Sequence, residues 1–221
     1  MSPRRDSAAA VHAVLAHPNA VLLATQLVVL VGYPFLDGST AGRAVIGVIQ
    51  LFAVFSALRV VRRTPVVTWF AVLFGVPAMV FAVWESVSPH VDWVVLASAC
   101  LHVPFYLFVS YGLIRYLFHD DEVTRDELFA TGAAFTVVAW AFAYVYAAVQ
   151  VLWAGSFGSE RPWYDLLYLS FTTLTSVGLG DFGPVQEHAR SFVVLEEVAG
   201  VFYVALVVSR LVGLAITRRR R

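Results

Sequence analysis

The chain has 221 residues, 60% of them hydrophobic and 14% charged, at a formal net charge of zero and a mean hydropathy of +0.77. Such apolarity lies outside the range of soluble globular domains and makes a multispan membrane protein the starting class, while the charge balance gives no electrostatic case for a nucleic-acid partner. The single cysteine, Cys100, excludes an internal disulfide, and with only His102 nearby it argues against a metal cluster.

In chain order, residues 1–18 are polar and alanine-rich and read as a cytoplasmic segment; the opening M-S-P-R-R-D is not followed by a signal-peptide cleavage pattern. Residues 19–36 carry no charge over close to the ~20 positions that an apolar helix needs to cross a bilayer, and form the first expected span. Asp37-Gly38-Ser39-Thr40 turns the chain. Residues 43–61 are the second span, ending among Arg59, Arg62 and Arg63, and residues 66–84 the third, with Pro77 as a kink. Residues 93–118 are the fourth; Cys100 and His102 within it read as buried core groups. Together, residues 19–118 form a four-helix transmembrane unit. The polar stretch 119–127 is a cytoplasmic linker into a second unit, residues 128–217, and residues 218–221 are a polybasic tail. That second unit divides into a fifth span at 128–154, a re-entrant region at 155–190 and a sixth span at 191–217. Trp69, Trp84, Trp93, Trp153 and Trp163 lie near span ends and read as interfacial anchors.

Arginine placement sets the orientation. With the N-terminus inside, Arg4, Arg5, Arg59, Arg62, Arg63, Arg115, Arg125, Arg210 and Arg218 to Arg221 are cytoplasmic, leaving Arg43, Arg161 and Arg190 outside. Both termini are then cytoplasmic, and the loop between the fifth and sixth spans enters from the outer face. The tail Arg218, Arg219, Arg220 and Arg221 either fixes this topology or binds anionic lipid.

Residues 172–184 read T-T-L-T-S-V-G-L-G-D-F-G-P. Two glycines at a spacing of two break both helix and strand, and they permit positive φ, through which successive carbonyls can line up as a column of oxygens. Such a column is a cation site. The preceding P-W-Y-D-L-L-Y-L-S-F-T-T-L-T, residues 162–175, reads as a short pore helix with Pro162 at its first position and Asp165 in its first turn. Its C-terminal dipole end then points inward at a cation held below. One strand cannot enclose a pore and four around an axis can, which implies a cyclic homotetramer.

From residue 163 to about residue 214 the chain resembles the pore-loop and inner-helix module of tetrameric potassium channels, and residues 189–214 resemble the last helix of small prokaryotic members. T-L-T-S-V-G-L-G-D-F-G-P is similar to the family pattern T-x-x-T-V-G-Y-G-D-x-x-P. The fold class this implies is an all-α membrane protein with six transmembrane helices and a re-entrant pore helix and filter loop between the fifth and sixth. The function it implies is passive, potassium-selective conduction through a homotetramer in the plasma membrane. The ion ligands it implies are Thr175, Ser176, Val177, Gly178, Leu179 and Gly180, with K⁺ held at Ser176 to Leu179, and no cofactor beyond the ions themselves. Two departures stand out: Ser176 replaces the usual threonine but keeps a hydroxyl, and Leu179 replaces the aromatic that braces the filter from behind. Both leave open a weakly selective cation channel. A potassium-uptake transporter subunit is the rival on the same loop, although such transporters usually carry four divergent pore loops in one chain; a membrane receptor or scaffold without a pore is the third reading. Nothing in the motifs points to an enzyme.

Several residues keep two readings. Asp181 is either a solvated loop acid or holds the outer strand through Tyr168, Trp163 or a backbone donor. Glu196 and Glu197 fall inside a span, where an acid costs about 2.5–3.5 kcal/mol at the helix centre; both snorkel outward, or Glu196 supports the filter by bonding the hydroxyl of Thr172 or Thr173. Gly200 is a packing glycine or an inner-helix hinge. Val201, Val204, Val208, Val212 and Ile216 share one helical face, which packs in lipid or core, or lines the inner vestibule as a gate. Residues 93–114 contain no arginine, so the four-helix unit lacks the charge ladder of a voltage sensor and the channel is expected to be weakly voltage-dependent at most.

Overall fold

A bilayer offers no water to satisfy backbone N–H and C=O groups, so a spanning chain must satisfy them within itself. The computed structural model describes residues 17–36, 49, 65–87, 91–118, 125–178 and 181–219, and among these there are six long helical segments and no strand. They are α1 (Pro18–Leu36), α2 (Pro65–Val87), α3 (Asp92–Leu117), α4 (Arg125–Leu152), α5 (Trp163–Leu174) and α6 (Glu187–Arg219). Four of them, α1, α3, α4 and α6, are long and apolar enough to cross a membrane; α2 holds a shorter apolar stretch, Val72–Glu85. The chain is a membrane protein. Apart from residue 49, the expected second span at 43–61, with Arg59, and the cluster Arg62 and Arg63 lie outside the described residues, as do residues 1–16, 119–124, Arg220 and Arg221.

The centre of the molecule is α4, which packs against α1, α3, α5 and α6, while α2 packs on α3. Its buried side carries Ala130, Ala133, Ala134, Ala141 and Ala147, small residues that let neighbouring helices approach closely where lipid supplies no hydrophobic drive. Trp140 and Tyr144 fill the space beside them. This helix starts at Arg125, three residues before the expected fifth span, because Asp126 and Glu127 suit the positive end of a helix and become its first turn. Asp126 thereby reaches α1: it accepts from the Asn19 backbone N–H at 3.2 Å and from Asn19 Nδ2 at 2.5 Å, filling donors that the start of α1 cannot satisfy itself.

His102 is buried, its ring stacked 4.1 Å from Tyr144. Its Nδ1 lies 2.8 Å from the Ser98 carbonyl, which only accepts, so Nδ1 carries the proton. Cys100 corrects the expectation of a buried pair: it is exposed. Two residues apart on a helix means about 200° of rotation, so the two cannot face one core.

The proline in α1 sets up the contact between α1 and α5. Pro34 has no N–H for the carbonyl of Leu30, four residues back. Tyr164 of α5 supplies the missing donor: its Oη donates to the Leu30 carbonyl at 3.0 Å, and its ring stacks on Tyr33 at 5.1 Å. Tyr164→Phe is expected to leave that carbonyl unsatisfied, at about 1–3 kcal/mol. In a Pro34→Ala background the helix regains its own donor, and the loss caused by Tyr164→Phe should shrink. Thermal denaturation of the four proteins in detergent reads the coupling; equal losses in both backgrounds would show that the hydroxyl does not serve Leu30.

Candidate functional site

The short helix α5, the expected pore helix, starts after Pro162, which stands at the N-cap with φ −56° and ψ 152° and not at the first helical position as expected from sequence. The Pro162 carbonyl accepts from Asp165 and Leu166 N–H at 3.0 and 3.3 Å. The entry is pinned by Gln150 of α4, whose Nε2 donates to the Arg161 carbonyl at 3.0 Å and whose Oε1 accepts from Arg161 N–H at 2.7 Å.

At its other end α5 stops through a Schellman turn. Thr175 closes the helix and Ser176 takes φ +57°. Ser176 N–H donates to the Thr173 carbonyl at 2.9 Å, while Val177 and Gly178 N–H both donate to the Thr172 carbonyl at 3.0 and 3.1 Å. Gly178 follows with φ +55°. Left-handed backbone was expected at the glycines; at Ser176 it was not, and no residue type at that position announces it. Among the described residues there is no cis peptide, and across a trans amide the C=O points opposite to the N–H. With the N–H groups of 176, 177 and 178 all turned back to the helix end, the carbonyls of Thr175, Ser176 and Val177 point away from it together. This irregular run of backbone, a strand only in the sense of an unpaired segment after α5, therefore presents successive oxygens on one side, and Thr175 to Gly178 are exposed within a single chain. Leu179 and Gly180 lie outside the described residues.

Asp181 stands beyond the strand, where Tyr168 Oη donates to its Oδ2 at 3.0 Å. Trp163, the other side chain considered for this role, packs instead against Tyr33, Trp140 and Tyr144. Thr172 supports the strand by its carbonyl, since its hydroxyl is spent within the helix on the Leu169 carbonyl at 2.9 Å.

Behind α5, α6 buries Ala189, Val193, Glu196 and Gly200 along one face. Glu196 is 0% exposed, so it does not snorkel. It bonds neither the Thr172 nor the Thr173 hydroxyl directly: its carboxyl is hydrogen-bonded to Ser170 of α5 and to Tyr146 of α4. Ser170 Oγ also reaches the Ala139 carbonyl at 2.7 Å. Glu197, the next residue, is exposed in the single chain. One turn below Glu196, a Cβ on Gly200 would lie 2.2 Å from the Leu174 carbonyl oxygen, so the glycine hydrogen meets that oxygen as a weak C–H···O contact. Ser170 and Leu174 are four apart on α5, as Glu196 and Gly200 are on α6, and the two pairs meet turn for turn. That matched spacing was the readable signal for Ser170.

Lower on α6, Tyr203 Oη donates to the Thr131 carbonyl, and Arg210 lies 3.7 Å from Glu127 and over the Phe118 ring at 5.2 Å. Val201, Val204, Val208 and Val212 are exposed within the single chain; the side chains of Ile216, Arg218 and Arg219 lie outside the description.

Residues 132–216, from the middle of α4 to near the end of α6, match the family model described as an ion channel. No curated protein and no solved structure matches the chain.

Gly200 has no room for a side chain, and Gly200→Ala is expected to push α6 off α5, with an overpacking loss of about 1–3 kcal/mol and reduced yield of assembled protein by gel filtration. A hinge glycine without close contact would instead leave stability unchanged and alter only opening.

Proposed function

Starting from an ion channel domain over residues 132–216, we propose that the protein is a passive potassium-selective channel of the plasma membrane. Four copies surround one axis, each with six spans, a re-entrant pore helix and both termini cytoplasmic. The observation that carries this reading is the strand after α5, whose backbone N–H groups turn back to Thr172 and Thr173. Its carbonyls are thereby freed on the opposite side, where oxygens from four chains replace the hydration shell of a cation. In this reading Thr175 to Gly180 line the ion path, Tyr168–Asp181 holds its outer end, and Val204, Val208, Val212 and Ile216 line the inner vestibule. The second reading, a weakly selective cation channel, is favoured by Ser176 and Leu179, which depart from the family pattern.

Purified protein in planar bilayers, with K⁺ on one side and Na⁺ on the other, separates them. A reversal potential near the K⁺ equilibrium value supports the first reading, one near zero the second. Gly178→Ala should abolish K⁺ flux while leaving the assembly intact, because an L-residue forced to φ +55° costs about 1–2 kcal/mol in each copy. Unchanged selectivity in that variant would sink the assignment of the strand.

The channel is weakly voltage-dependent at most. Steep dependence takes about 3–4 gating charges per subunit, each worth about 2.3 kcal/mol per 100 mV. Within α3 the basic residue is Arg115, in its last turn, where it crosses little of the field. A conductance–voltage curve in symmetric K⁺ between about −100 and +100 mV, the scale of that estimate, is expected to be shallow; a sigmoid equivalent to several charges would overturn this.

A further inference from the structure

The cluster behind the pore helix holds more contacts than its hydroxyls can supply with protons. Ser170 Oγ is hydrogen-bonded both to the Ala139 carbonyl, at 2.7 Å, and to Glu196. A hydroxyl donates once and a carbonyl never donates, so if Ser170 gives its proton to Ala139, the proton between Ser170 and Glu196 comes from Glu196. The other carboxyl oxygen is taken by Tyr146 Oη, which donates its own proton there. With one proton on Glu196 the cluster becomes a chain running in a single direction: Tyr146 to Glu196, Glu196 to Ser170, Ser170 to the Ala139 carbonyl. Each group donates once, and such chains strengthen cooperatively.

An ionised Glu196 breaks the count. Ser170 would then turn its proton to the carboxylate and leave two bare oxygens facing each other at 2.7 Å. The charge would also be uncompensated: among the described residues no basic side chain pairs with Glu196, and the charged group that acts on it is another acid, Glu197. The groups facing Glu196 are Tyr146 from α4, Ser170 from α5 and Glu197 on its own helix. Proton count and the expense of an intramembrane charge agree.

We propose that Glu196 is a neutral carboxylic acid whose proton is a structural part of the pore, joining α6, the pore helix and α4 through Ser170 and the Ala139 carbonyl. It is a positioning residue: it holds α5 two residues above Thr172, the carbonyl that fixes the strand. Its protonation stands on this geometry alone, whereas its effect on ion flux rests on the channel reading above.

Infrared difference spectroscopy of the purified full-length protein in lipid, wild type against Glu196→Gln at neutral pH, tests it. A protonated carboxyl gives a carbonyl stretch apart from the amide and carboxylate bands, sensitive to deuterium exchange. That band is expected in the wild type and lost in Glu196→Gln; a carboxylate difference in its place overturns the proposal. Glutamine keeps one donor for Ser170 and one acceptor for Tyr146, so Glu196→Gln should retain assembly and K⁺ flux, and failure to assemble would count against a neutral acid. Glu196→Leu removes both bonds and should lower flux about tenfold, the scale of one unsatisfied buried hydroxyl; wild-type flux there would overturn the positioning role. A wild type that shows the band yet passes no K⁺ upholds the protonation and sinks the channel reading instead.

Discussion

The pair of hydrogen bonds at Thr172, one carbonyl accepting both Val177 and Gly178 N–H, is the contact on which the rest of residues 163–219 depends. Irregular backbone at membrane depth survives only if its N–H groups are satisfied by protein or water, and here the end of a helix does that work. The orphan carbonyls of the α5 C-terminus and the orphan donors of the strand cancel one another. The direction of the strand is therefore inherited from α5, and any tilt of α5 is passed to the oxygens beyond it.

That dependence explains why α5, a helix of 12 residues, is held at three levels. Near its start Tyr164 is bonded to α1, at its middle Ser170 to α4 and α6, and at its end Leu174 meets Gly200. An isolated helix of this length is marginal, so its order comes from these contacts and from Leu166, Leu167 and Leu169 in the core. The first unit takes part in this support through α1. One end of α1 is capped by Asp126 and the other gives up a carbonyl to Tyr164; the helix is tied both to the start of α4 and to the start of α5.

What the sequence made legible was whatever rests on composition and period. Predominantly apolar stretches of near-bilayer length located α1, α3, α4 and α6, and the P-W-Y-D start located α5 to within one residue. Less legible were features set by which face a residue presents. Cys100 and His102 looked equivalent in the string but lie on different sides of α3. Asp126 and Glu127 read as linker because acids interrupt apolar runs, whereas they form the first turn of α4. Glu196 announced itself as an acid inside a span, yet its partner was sought among threonines nearest the strand. The hydroxyl that meets it, on Ser170, is two residues earlier because α5 and α6 run in register through their four-residue spacing. Ser176 was hidden for another reason: its left-handed backbone follows from the helix ending there, and serine carries no signal for it.

The close approach at Gly200 also limits how α6 can move. A helix that bends at a residue needs slack on the side towards which it bends, and Gly200 faces the Leu174 carbonyl with no space for even a methyl group. Bending there without lifting α6 is excluded by contact, and lifting it would pull on the carbonyl end of α5 from which the strand hangs. Below this point α6 is tied again, by Tyr203 to Thr131 and by Arg210 to Glu127. Movement of the lower half thus pivots against the same helix end that orients the strand. In the channel proposed above, an inner constriction formed by Val204, Val208 and Val212 and the oxygens of Thr175 to Val177 would share that pivot, so that closing one would strain the other.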